Sequence, residues 1–190
     1  HDIAGDFVEC GVWRGGNALA AKMIFEAYGS DKTVWLFDTF AGMTAPDDRD
    51  VKTDNGRSGK FMFDESQRQG FNGWCYASLE DVTDNFRKSK VDIGNVRFIK
   101  GDVLETLDNT DNLPQMIAVL RLDTDWYQST KKELETLYPR LVRRGIIILD
   151  DYAFWDGQRK AFEEYFENRA TERPFMQVVY TEGCRAGVKH

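Results

Sequence analysis

Apolar positions along the chain fall into two alternating rhythms. Short, nearly unbroken apolar runs stand at 7–10, 33–38, 96–100, 116–122 and 146–149, the pattern of parallel strands covered on both faces. Between them apolar residues return every third or fourth position, the period of a helix with one buried side. Such stretches are 18–28, 78–88, the face formed by Leu134, Leu137, Tyr138 and Leu141, and 158–168. Ser78 with Asp81 predicts a capping box, Asp102 with Glu105 a short capped helix, and Thr130 with Glu133 a further helix start. Gly145 is expected to close the helical region before the run at 146–149. Repeated strand–helix units predict an α/β protein with a doubly wound, mostly parallel sheet and right-handed crossovers. Two runs at 175–180 and 185–189 predict a C-terminal antiparallel strand pair around Thr181-Glu-Gly-Cys184.

One segment breaks the alternation. Residues 39–77 are rich in Gly, Asp, Asn and Ser and carry Phe40, Phe61, Phe63, Phe71, Trp74 and Tyr76. An excursion this long inside one domain is expected to be a mobile lid or substrate loop, the alternative being an insertion packed on its own aromatics. Residues 1–190 otherwise read as a single domain with one core.

The charge balance narrows the partners. With 32 acidic and 25 basic residues the net charge is -7, which disfavours nucleic acid or an anionic membrane as main partner. Arg140, Arg143 and Arg144 form a local basic patch that reads as a solvated helix end. Cys10, Cys75 and Cys184 form no C-x-x-C pair, which disfavours structural zinc. Cys10 is expected to be a small core residue. An odd cysteine count without a leader-like segment suggests a reducing, cytoplasmic setting. No apolar run reaches the length of a membrane span. The chain lacks an initiator Met and opens almost directly on its first strand, as a trimmed piece would. The only histidines are His1 and His190, which excludes a Ser-His-Asp triad, a Cys-His pair and a His-ligated zinc. Any metal would be held by oxygen, favouring Mg²⁺, Ca²⁺ or Mn²⁺.

Candidate chemistry gathers at the carboxyl ends of the predicted strands, where ligands bind in doubly wound folds. The first strand runs into Glu9-Cys-Gly-Val-Trp-Arg-Gly-Gly-Asn17 and then a helix, a strand delivering a ligand to a glycine-rich turn. Gly11, Gly15 and Gly16 allow positive φ and close approach of a ligand to the backbone. Glu9 argues against a pyrophosphate and favours a cationic or amino-bearing ligand such as S-adenosylmethionine. Asp38 ends the second strand and suits ribose hydroxyls. Asp102 follows the third, Asp123 the fourth, and Asp150-Asp151 the fifth. Asp123, Asp150 and Asp151 converge from neighbouring strands as a hard-cation site. Asp123-Thr-Asp125 also reads as the D-x-D metal signature of glycosyltransferases.

With these residues in place, the chain resembles the macrocin O-methyltransferase family. The matching pieces run in order through Val8–Gly16, Val34-Trp-Leu-Phe-Asp-Thr-Phe-Ala-Gly42, Ser78-Leu-Glu-Asp-Val82, Asn85-Phe86, Val96-Arg-Phe98 and Gly101. They continue through Ile117-Ala-Val-Leu-Arg-Leu-Asp-Thr-Asp125, Tyr127, Ser129-Thr130, Tyr138-Pro-Arg-Leu141 and Ile147-Ile-Leu-Asp-Asp-Tyr152. The resemblance implies a Rossmann-like class I methyltransferase fold and S-adenosylmethionine- and Mg²⁺-dependent methylation of a sugar hydroxyl in a macrolide-like acceptor. It implies that Glu9, Gly11, Trp13, Arg14, Gly15, Gly16 and Asn17 surround the methionine part of the cofactor. Asp38 would hold the ribose and Gly101-Asp102 would border the adenine. Asp123, Asp150 and Asp151 would bind Mg²⁺. Asp123 and Asp125 are the candidate catalytic acids; the general base stays unassigned, and Asp125 equally reads as a loop acid. The partner expected is a small glycoside, and assembly of identical subunits stays open. Three departures stand out: no helical segment precedes the first strand, Trp126 replaces a smaller residue and is expected to narrow the acceptor pocket, and the segment just after Asp151 offers no histidine or other obvious base. A D-x-D glycosyltransferase and a non-catalytic cofactor-binding module remain as alternative readings.

Overall fold

The structure is a computed structural model that describes residues 3–179 and 183–190. Along the chain lie β1 (Asp6–Cys10), α1 (Gly16–Ala27), β2 (Val34–Asp38), α2 (Gly59–Glu65), β3 (Gln67–Arg68) and β4 (Phe71–Asn72). Next come α3 (Leu79–Lys88), β5 (Val96–Lys100), α4 (Val103–Thr106), β6 (Ile117–Leu122) and α5 (Tyr127–Leu137). The chain ends with β7 (Leu141–Leu149), α6 (Asp156–Glu167), β8 (Gln177–Val178) and β9 (Arg185–Val188).

Seven strands form one sheet in the order β5-β2-β1-β6-β7-β9-β8. The first five in that order pair in parallel; β9 pairs antiparallel with both β7 and β8. The chain runs outward from β1 to β2 and β5, then returns to β6 on the other side. That reversal opens a crevice beyond the carboxyl ends of β1 and β6, where such sheets bind ligands.

Alternate residues of each strand feed opposite faces. Val8 and Cys10 join Leu120, Leu122, Ile147 and Leu149 in a core closed by Leu134 and Leu137 of α5 and Phe162 and Phe166 of α6. Phe7, Val34 and Leu36 face the other way, against Ala18 of α1 and Val82 and Phe86 of α3. Glu9 and Arg121 stand opposite each other in the β1–β6 register. By alternation with Phe7 and Val119, they lie on this second face.

Several local expectations change. The helix expected to start at Thr130 begins at Tyr127, so Thr130 and Glu133 are buried inside α5 rather than capping it. Its start is supplied from a distance: the Asp50 carboxylate accepts from the Tyr127 amide at 2.8 Å. Gly145 lies inside β7, which begins at Leu141; a Cβ there would sit 2.8 Å from the Val142 carbonyl oxygen. Arg143 and Arg144 therefore stand on a strand, not a helix end, and Arg140 donates to the Pro114 carbonyl at 3.0 Å. Cys10 is fully buried, as its place in an apolar run requires. Tyr180, expected to end the 175–180 strand, and Thr181 and Glu182 of the expected turn lie outside the described residues.

The 39–77 excursion is bolted to the sheet's carboxyl edge. Trp74, Trp126 and Trp155 meet in a ring cluster with centroids 5.0–6.0 Å apart. The Trp126 indole donates to the Thr44 carbonyl at 2.9 Å, and the Asp156 amide to Val51. Asp50 is fully buried, and Gly157 leaves room for it: a Cβ at Gly157 would fall 1.9 Å from Asp50 Oδ1. Trp126 is thus committed to anchoring the insertion and does not line the ligand crevice. Solvent exposure within the segment concentrates around the ends of α2 and the β3–β4 hairpin.

Candidate cofactor and metal site

The glycine-rich turn after β1 owes its shape to contacts that tolerate no side chain. Gly11 has φ +81, and a Cβ there would fall 2.0 Å from the Asp123 carbonyl oxygen, so β1 and β6 touch backbone to backbone. Gly15 has φ +82 and precedes α1, whereas Gly16 needs no special conformation and opens the helix. Asp38 reaches across from β2 to fix this turn: Oδ2 accepts from the Val12 and Trp13 amides at 2.6 and 3.0 Å, and Oδ1 from Phe40 at 2.7 Å. The acid read as a ribose contact therefore first shapes the loop that would cradle the ligand. Trp13 holds φ +47 and stays half-exposed, with the Arg14 guanidinium 5.6 Å from its ring centroid. The Arg14 carbonyl accepts from Asn85.

A crevice opens beside the turn. Gly11, Trp13 and Asp38 form one wall, Gly101 and Asp102 another, and Asp123 and Asp125 a third. The turn residues Arg14, Gly15, Gly16 and Asn17 do not line it, nor do Glu9, Asp150 and Asp151. Asp102 caps α4 by accepting from the Leu104 amide at 2.9 Å. Thr39, Met43, Thr44 and Cys75 bring the insertion to its rim.

Behind this wall lies a charge network that pattern reading missed. Arg121 Nη1 donates to Glu9 Oε1 at 2.9 Å and Asp123 Oδ2 at 2.7 Å, while Nη2 donates to Asp150 Oδ1 at 2.7 Å. The cation expected opposite Glu9 is therefore supplied by the protein itself. Glu9 is 1% exposed, and its Oε2 has no partner. The signal was present: Arg121 is the one charged residue in an otherwise apolar central strand, and a charge there must be paired. Gln158 was missed as well; fully buried on α6, it accepts from the Asp151 amide at 2.9 Å and fixes the β7 end.

Three carboxylates converge in front of Arg121. One oxygen each from Asp123, Asp125 and Asp151 lies within 4.8 Å of the others. The geometry thus groups Asp125 with Asp123 and Asp151, while Asp150 turns to Arg121. Asp125 sits in a left-handed turn at φ +67. Burial, and then neighbouring carboxylates, push Asp123 and Asp151 well above the ordinary carboxylate range, against the pull of Arg121 on Asp123. The same causes push Asp125 up to about 7. Such crowding is relieved when a hard cation binds.

Two buried glutamates give the protein a pH signature. Burial pushes Glu9 up to about 7 despite Arg121, and Glu133 up to about 8 despite its bond from the Thr124 hydroxyl. Both folded values exceed the ordinary 4.5, so across that window the folded protein keeps protons that the unfolded chain has released. Their contribution to stability is greatest below the unfolded value and falls as pH rises through the folded values. Urea unfolding in metal-free buffer from about pH 5 to 9 should show this decline, and Glu133→Gln should flatten its alkaline part. An unchanged slope in the variant would contradict the assignment.

This arrangement joins a strand-to-helix glycine turn, a second-strand acid and an oxygen-only acid cluster on one sheet edge. The sequence model of macrocin O-methyltransferase (TylF) matches residues 1–183. The chain belongs to the macrocin O-methyltransferase family. It is 33% identical over 177 residues to an 8-demethyl-8-(2,3-dimethoxy-alpha-L-rhamnosyl)-tetracenomycin-C 4'-O-methyltransferase of Streptomyces olivaceus, covering 93% of this chain and 63% of that one. It is 36% identical over 166 residues to the demethyldecarbamoylnovobiocin O-methyltransferase of Streptomyces niveus, covering 87% and 59%. The mycinamicin III 3''-O-methyltransferase of Micromonospora griseorubida is 32% identical over 177 residues, 93% of this chain and 66% of that one. The chain therefore spans only 59–66% of the length of these relatives. Among solved structures, the O-methyltransferase NovP superposes with a TM-score of 0.79 at 30% identity, covering 98% of this chain and 72% of that one. The calicheamicin methyltransferase CalS11, 18% identical with a TM-score of 0.71 over 98% and 73% of the two chains, shares the fold. No helix among the described residues is long and apolar enough to cross a membrane.

Proposed function

We propose that this family member carries out S-adenosylmethionine-dependent, Mg²⁺-dependent methylation of a sugar hydroxyl on a small glycoside. The observation that carries the reading is the meeting, at one crevice, of the Asp38-braced glycine turn with Asp123 and Asp125, two of the three acids of the Asp123–Asp125–Asp151 cluster. The names of its relatives, all O-methyltransferases of glycosylated or antibiotic-type molecules, support the acceptor class. The oxygen-only donors fit Mg²⁺, and their raised protonation in the metal-free protein fits a site built to be neutralised by a cation.

S-adenosylmethionine would supply the methyl group, and Mg²⁺ would favour ionisation of the acceptor hydroxyl. The chain's own residues do the rest. Gly11 and Trp13 with Asp38 wall the cofactor, Gly101 and Asp102 border its far end, and Asp123 and Asp151 hold the cation. Asp125, at about 7, suits a group that accepts the hydroxyl proton near neutral pH. Asp150 is the other candidate third ligand. Asp125→Asn and Asp150→Asn separate the two roles: loss of a ligand weakens Mn²⁺ binding, whereas loss of the proton acceptor lowers kcat with Mn²⁺ affinity kept. The exposed part of the 39–77 insertion would close the acceptor side as a lid.

Scanning fluorimetry with S-adenosylhomocysteine, Mg²⁺ and a nucleoside diphosphate, singly and combined, tests the reading. S-adenosylhomocysteine at a hundred times its Kd should stabilise by about 2.7 kcal/mol. Stabilisation by the nucleoside diphosphate alone would point to the D-x-D glycosyltransferase reading instead. Asp38→Ala should weaken S-adenosylhomocysteine at least about tenfold in calorimetry, because charge-assisted hydrogen bonds of about 1.5–3 kcal/mol each disappear. Undiminished affinity in that variant would remove Asp38 from the cofactor site.

A further inference from the structure

Glu133 is an anomaly in the core. It is fully buried on α5, on the same face as Leu134 and Leu137, and one of its carboxyl oxygens, Oε2, has no hydrogen-bond partner among the described residues. Stability alone does not favour such a residue, since an apolar side chain of similar size would avoid the desolvation cost. Rules of this kind are broken where a site needs the group.

What Glu133 touches indicates the need. Its Oε1 accepts from the Thr124 hydroxyl at 2.9 Å, and the Cys10 thiol and the Glu133 carboxyl each bear on the other's ionisation. Cys10 ends β1 next to Gly11, and its carbonyl accepts from the Asp123 amide at 2.8 Å. Thr124 stands between Asp123 and Asp125. One buried side chain therefore ties together the last residue of β1, the acid turn after β6 and the helix α5.

The turn needs an anchor because Asp125 is held at φ +67, a sparsely populated conformation that persists only when its surroundings fix it. On the far side the anchor is Trp126, 2% exposed and hydrogen-bonded to Thr44. On the near side it is the Thr124–Glu133 bond. We propose that Glu133 is a positioning residue: by holding Thr124 it keeps Asp125 in its left-handed turn and presents Asp123 and Asp125 together to the cation. This rests on the reading of the acid cluster as a metal site.

The test uses Glu133→Leu, Glu133→Gln and Thr124→Val, with Mn²⁺ as the probe ion. Glu133→Leu should unfold at the same temperature as the wild type or higher, yet bind Mn²⁺ at least tenfold more weakly in the presence of S-adenosylhomocysteine. The Trp126 amide, bonded to the Thr124 carbonyl at 2.8 Å, should exchange at least tenfold faster with solvent deuterium. Glu133→Gln keeps an acceptor of the same shape and should stay within threefold of the wild type in both readouts. Thr124→Val removes the bond from the other side and should reproduce Glu133→Leu, with the double variant no worse than either single one. Should Glu133→Leu fail to fold, Thr124→Val alone carries the same two expectations. Wild-type Trp126 exchange and wild-type Mn²⁺ affinity in Thr124→Val would overturn the proposal, as would Glu133→Gln failing as badly as Glu133→Leu. If the wild type itself binds no Mn²⁺, the metal reading falls, and the exchange of Trp126 still decides whether Glu133 holds the turn.

Discussion

Asp123→Asn should reduce methyl transfer about a thousandfold and leave the protein folded. Asp123 belongs both to the converging cluster and to the Arg121 network, so its charge serves two purposes. On the proposed reading of the acid cluster, the cation would lose a central ligand without it. A metal ion contributes several kcal/mol to such a transition state, and about 4 kcal/mol corresponds to three powers of ten in rate. The fold survives because the amide keeps the shape and Arg121 retains Glu9 and Asp150. Rate measurements with and without chelator, beside a denaturation curve, check both halves. A variant that still turns over, or a wild type indifferent to chelator, would sink the metal mechanism.

The second large effect falls on stability. Arg121→Met should destabilise the metal-free protein by about 3–5 kcal/mol, the range for breaking a buried ion pair from one side. For a domain of this size that lowers the melting temperature by about 6–20 °C. The cost arises chiefly at Glu9, which is 1% exposed and loses its counter-charge; Asp123 and Asp150, 26% and 38% exposed at their side chains, keep some contact with water. Adding Glu9→Leu to Arg121→Met should recover much of the loss, since the most deeply buried of the three carboxylates paired with Arg121 is then gone. If the double variant is no more stable than Arg121→Met, the penalty lies in packing rather than in charge.

The sheet was legible because its signal is local. Buried parallel strands must be apolar on both faces, so four of the five main runs announced themselves within a residue or so of their observed bounds, while β7 starts five residues before the run at 146–149. The boundary errors have the same origin. The start of α5 carries no cap of its own, because Asp50 caps it from 77 residues away, and the nearest local signal, Thr130 with Glu133, pointed one turn too late. Trp126 could be read as narrowing a pocket only while its partners Trp74 and Trp155 were unknown.

By itself the sequence determined the fold class, the family and the row of acids at the strand ends, because strand order places each strand-terminal residue on one rim whatever the details of packing. Which acids face one another was decided only by tertiary structure. Asp125 joins Asp123 and Asp151 through a left-handed turn pinned by Glu133 and Trp126, while Arg121 draws Asp150 and Glu9 away. Those choices depend on charge compensation between strands far apart in the chain. Burial makes an unpaired charge costly, so the pairing is fixed by three-dimensional neighbours and leaves little trace in local pattern.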